Sequence, residues 1–135
     1  MRNLPVWVAA LWWGSLSTLG FFVVPMLFAH LPSPAMAGGM AAKLFSVQTA
    51  ISTVCGLVLL MLFRSNKALA PADIAQSATL FVVGGMLMAL LVEFGVSPRI
   101  VARENLALWH GVGMVMHVAQ WICAAVVFGK LANRV

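Results

Sequence analysis

Four long apolar runs, separated by short polar breaks, account for nearly all of the chain: about Pro5 to Ala29, Lys43 to Phe63, Ile74 to Gly95 and Leu106 to Gly129. Each holds about the 20 residues that a helix needs to cross roughly 30 Å of hydrocarbon. With capping residues included, the predicted helices cover about 5–29, 34–63, 73–95 and 98–130, paired as two hairpins in a single domain spanning 1–135. The expected fold class is all-α: an integral membrane four-helix bundle with its N and C termini on the same side. Breaks on the order of ten residues are hairpin connections and hold no soluble domain.

The punctuation inside these runs refines the picture. Pro25 removes one backbone donor, so a kink is predicted near Phe21. Ser33 can cap a helix that Pro34 opens. Lys43 then lies either nearly three turns inside the second helix, where its amine must pair or snorkel, or at a helix start among the headgroups. Ser97-Pro98 repeats the grammar of Ser33-Pro34 at an offset of 64 residues, which also places Gly20 on Gly84. Internal duplication and chance recurrence of a common helix opener both account for this. Gly14, Gly20, Gly84 and Gly85 mark faces on which another helix can approach closely.

Composition confirms the class. The chain is 63% hydrophobic and 8% charged, and its mean hydropathy of +1.04 is far above that of soluble domains. The lipid bilayer is therefore the first partner, with the bacterial inner membrane the expected location. The net charge of +5 comes from eight Lys and Arg scattered over helix ends, which argues against a nucleic-acid partner. Arg2, Arg64, Lys67, Lys130 and Arg134 would lie on one side, and Lys43, Arg99 and Arg103 on the other. That split favours cytoplasmic termini. Arg2 with Ala35-Met36-Ala37 has the look of a secretory signal, but the run between them is about twice as long as a signal core, so it reads as a retained first helix. Cys55 and Cys123 read as free buried thiols.

Ionisable groups are costly in such a setting and carry most of the functional information. Glu93 is the one acid inside an apolar run, and it shares the outer-to-middle part of the membrane with His110, His117, Gln48, Gln120 and Lys43. An ion pair of Glu93 with Lys43, or with Arg99 past the turn, is expected. His110 and His117 share a helix face but stand about 10.5 Å apart along the axis, too far for one metal ion. A soft-metal set would instead use His110 and Met114 with His30 and Met26, or with Met36 and Met40, from the other hairpin. No nucleophile, phosphate loop or carboxylate pair stands at motif spacing, which leans against an enzyme.

The run L-W-W-G-S-L-S-T-L-G-F-F-V-V-P, then A-G-G-M-A-A-K-L-F, S-P-R-I and L-W-H-G resembles the transmembrane protein 205-like family, domain of unknown function 4149. The chain is also distantly similar to copper-resistance D type membrane domains and to the membrane protein implicated in protoporphyrinogen oxidation. The first resemblance implies a four-helix membrane domain without a settled activity; the others imply copper or haem. The expectation is a non-enzymatic protein without cofactor that handles a small solute, proton or ion, or acts as an accessory, through an outer-side polar cluster. A copper- or haem-binding protein with a redox or metal-resistance role is the alternative. The small-residue face of the first helix offers a surface for a homo-oligomer or a membrane protein partner.

Overall fold

A computed structural model describes residues 2–65 and 71–134. It contains four long helices and, among the described residues, no strand: α1 (Leu4–His30), α2 (Pro34–Ser65), α3 (Ala72–Val101) and α4 (Leu106–Ala132). At 27 to 32 residues, each is about 40 Å or longer and apolar enough to span a membrane. Lys67 and the rest of the polar link at 66–70 lie outside the described residues.

Local chemistry sets the breaks. Leu31 precedes Pro32 and is extended, with ψ 150, because the proline ring disfavours helical backbone in the residue before it. Ser33 then accepts a hydrogen bond from the Met36 N–H at 3.2 Å, and Pro34 opens α2. At the α3–α4 link, Arg103 and Asn105 adopt positive φ, and the Asn105 side chain accepts from the Leu108 N–H.

The third and fourth helices divide differently from expectation. α3 does not stop near residue 95, and α4 does not begin near 98; the chain stays helical through Pro98 to Val101, and α4 starts at Leu106. The reason is a widened π turn at Val92–Val96, in which the Ser97 N–H reaches back five residues to the Val92 carbonyl. One extra residue in the turn accommodates the donor that Pro98 lacks. The predicted irregularity near Phe21 has the same form: a π turn at Leu19–Val23, with the Val24 N–H on the Leu19 carbonyl just before Pro25. The 64-residue correspondence does not extend to the helix breaks, since Pro34 opens α2 and Pro98 lies within the continuous span of α3. The matching features are instead the two π turns, each two residues before a proline.

Packing order is cyclic. α1 contacts α2 and α4, and α3 contacts α2 and α4, so consecutive helices are neighbours in a square bundle. An apolar core of Ala9, Trp12, Leu59, Phe63, Ala78, Val82, Val127 and Leu131, among others, fills the end that holds Leu4, Ser65, Ala72 and Ala132. The distribution is otherwise inverted relative to a soluble bundle. Gln48, Ser52 and Gln120 are buried, whereas Leu80 and Phe94 are 74% and 76% exposed. Apolar side chains outside and bonded polar ones inside are what a hydrocarbon solvent requires.

Candidate functional site

Two diagonals cross the middle of the bundle. Trp12 of α1, fully buried, lies against Gly85 of α3, where a side chain would come within 2.6 Å of the indole. Ser52 of α2 donates to Gln120 Oε1 of α4 at 2.6 Å. The second diagonal is one link of a longer chain: Gln48 Nε2 donates to Ser15 Oγ at 3.0 Å and to Ser52 Oγ at 3.4 Å, and Ser15 Oγ donates to the Trp12 carbonyl. Three helices are thus tied by side-chain hydrogen bonds with no water needed. Beside this chain, Trp121 Nε1 donates to Ser17 Oγ at 2.8 Å, and Trp13 stacks on Phe128 at 5.6 Å.

Toward the π turns, the ionisable groups appear. His117 of α4 points inward and places Nε2 3.3 Å from the Leu16 carbonyl of α1. A carbonyl can only accept, so Nε2 carries the proton in this bond. Gly20, within the first π turn, makes the room: a Cβ there would lie 2.5 Å from His117 Nε2. Phe45 of α2 meets the imidazole edge-on at 5.5 Å. The next residue, Ser46, faces the other way, onto α3, and spans both oxygens of Glu93 at 2.9 and 3.0 Å. Glu93 sits half-buried in the second π turn.

The expected outer cluster is therefore divided. Gln48 and Gln120 join through Ser52; His117 and Glu93 lie on either side of Phe45-Ser46 and do not bond to each other. No ion pair forms on Glu93 among the described residues, which corrects the expected pairing with Lys43 or Arg99. α2 does begin at Pro34, so Lys43 lies well inside the helix, yet it is exposed; its long stem takes the amine outward. Arg99, six residues past Glu93, comes round to a different face. It lies 4.6 Å above the Trp109 ring and 4.0 Å from Glu104.

His110 is exposed near the start of α4 and is bonded to none of the other cluster members. Nothing among the described residues joins the members of the proposed soft-metal set through their side chains either. His30 Nδ1 bonds to the Met26 carbonyl of its own helix, Met26 and Met114 are 59% and 70% exposed, and the described residues contain no group of three or more His, Cys, Asp or Glu able to hold a metal ion. Both cysteines are free. Of the four glycines expected to serve packing, Gly20 and Gly85 admit side chains from other helices, Gly84 is in ordinary contact with Cys123 at 3.8 Å, and Gly14 meets nothing within 4 Å.

Sequence reasoning missed Ser46 and Ser52. Serine in a span is common, and nothing in its spacing says which hydroxyls turn back on their own helix and which cross to another.

The profile of the domain of unknown function DUF4149 matches residues 7–108. The chain belongs to that family. No curated protein and no solved structure matches it. The matched DUF4149 segment takes in α1 to α3 with Ser46, Gln48, Ser52 and Glu93, whereas His117 and Gln120 lie beyond it.

Proposed function

We propose that this DUF4149 protein is a non-enzymatic component of the bacterial inner membrane that takes up and releases a proton or small cation at Glu93. One observation carries the reading: Glu93, the one acid away from the helix ends, is held by the Ser46 hydroxyl alone, with no cation within ion-pairing distance among the described residues. Intramembrane carboxyls facing a bundle interior commonly mark ion or proton paths. Gln48, Ser52 and Gln120 bond to one another, and His117 is engaged with α1, which leaves Glu93 with acceptor capacity to spare. A π turn beneath it supports the reading, because such turns recur at functional positions. Both termini are taken as cytoplasmic, on the weight of Arg2, Arg64, Lys67, Lys130 and Arg134.

The test is proton and cation flux into proteoliposomes under an imposed gradient, followed with an internal pH-sensitive dye. Glu93→Gln keeps the shape and the contact with Ser46 and is expected to abolish flux at unchanged thermal stability. Ser46→Ala is expected to reduce it. Equal flux in wild type and Glu93→Gln would sink the reading.

A further inference from the structure

On the outer surface of the bundle, α1 and α2 leave a groove of about 540 Å³, lined by Ala10, Gly14 and Thr18 on one side and Val47, Gln48 and Ile51 on the other. Gly14 is not needed by the fold, since a side chain there meets nothing within 4 Å. Two polar groups in this groove lack partners. Gln48 is 5% exposed; its Nε2 is used twice, but its Oε1 accepts nothing among the described residues. The sealed side-chain atoms without a partner there are the indole nitrogens of Trp12 and Trp13, so the Gln48 oxygen is the unpaired end of the amide that reaches the groove.

Thr18 is the second group. Ser15, Ser17, Thr49, Thr53 and Thr79 each turn a hydroxyl onto a carbonyl of their own helix. The Thr18 hydroxyl, exposed at the middle of α1, has no such partner among the described residues. An unpaired hydroxyl and an unpaired amide oxygen at mid-span have no water to turn to. An acyl chain in the groove would satisfy neither.

We infer that this groove is the contact face of a two-fold dimer, in which the Thr18 hydroxyl of each copy donates to Gln48 Oε1 of the other. Thr18 and Gln48 line one groove, and Gln48 bonds to Ser15, three residues from Thr18, so the two lie within one helical turn of each other in depth and a two-fold axis along the membrane normal brings them within reach of each other's copies. The donor on α1 and the acceptor on α2 then meet twice by symmetry, as an isologous interface demands. Ala10, Gly14 and Thr18, four residues apart, let the two α1 backbones come close. The inference does not depend on the role of Glu93.

Subunit counting on the labelled full-length protein, diluted in vesicles of phosphatidylethanolamine and phosphatidylglycerol, tests it. Wild type is expected to be dimeric, and so is Gly129→Leu, which fills open space elsewhere. Gly14→Leu is expected to be monomeric with wild-type helicity and thermal stability. Thr18→Val, which removes two interhelical hydrogen bonds per dimer, is expected to weaken association about fivefold to tenfold; this variant decides the matter if Gly14→Leu fails to fold. A monomeric wild type would mean that lipid chains fill the groove, and association as tight as wild type in both Gly14→Leu and Thr18→Val would place the interface elsewhere. Wild type that associates solely with an added membrane protein would assign the groove to that partner. Each of these three results overturns the inference.

Discussion

The imidazole of His117 occupies the space that a side chain at Gly20 would fill, with Nε2 2.5 Å from the position of a Cβ there. The ring has little freedom to retreat, because the same nitrogen is bonded to the Leu16 carbonyl and Phe45 abuts the ring. Gly20→Ala should therefore lower stability by about 1–2 kcal/mol, overpacking outweighing the helix propensity gained. His117→Ala in the same chain should recover part of the loss; thermal unfolding of the double-mutant cycle in detergent measures the coupling. Additive effects would break the link between the two residues.

Adjacent glycines on α3 should behave oppositely. Gly85→Ala drives a methyl into the indole of Trp12, which is fully buried and has nowhere to shift, and is expected to cost about 2–3 kcal/mol. Gly84→Ala places its methyl at 3.8 Å from Cys123 Sγ, an ordinary contact, and should be neutral or stabilise by up to about 1 kcal/mol. Their melting temperatures should fall on either side of the wild-type value.

Ser52 links two amides, as donor to Gln120 Oε1 and acceptor from Gln48 Nε2. Ser52→Ala should cost about 1 kcal/mol, near the upper part of the range measured for interhelical hydrogen bonds in membranes. Ser77→Ala removes a hydroxyl that bonds to the Ile74 carbonyl of its own helix and should leave the unfolding midpoint unchanged. A Ser52→Ala midpoint equal to that of Ser77→Ala would show that the chain across the bundle contributes nothing to stability.

The contact of Arg134 with Asp73, at 3.7 Å, joins the end of α4 to the start of α3, but both side chains are more than half exposed. Water and salt screen such pairs, so Asp73→Asn should change stability by less than about 0.5 kcal/mol. Its unfolding midpoint should match wild type at low and high salt alike.

Much of the fold was legible in the residues. Four apolar stretches must each become a helix, because backbone groups in hydrocarbon can bond only within their own segment. Pro32, Ser33 and Pro34 mark the first break by chemistry that acts over a few residues. Pro98 misled because a proline that opens a helix and one carried through a π turn look alike in sequence; the difference lies in whether α3 has somewhere to continue.

The site was less legible, for a geometric reason. Each π turn inserts one residue, which rotates everything beyond it by about 100° relative to an even helix. The regular 3.6-residue period therefore does not say which way Glu93 and Arg99 face. The chain by itself determined how many helices there are, that each is long enough to cross a membrane and which rare polar groups they carry, since these follow from composition and local sterics. The tertiary structure alone decided that Ser46 holds Glu93, that His117 turns to Leu16 and that Ser52 reaches Gln120, since each contact depends on how helices far apart in sequence are rotated against one another.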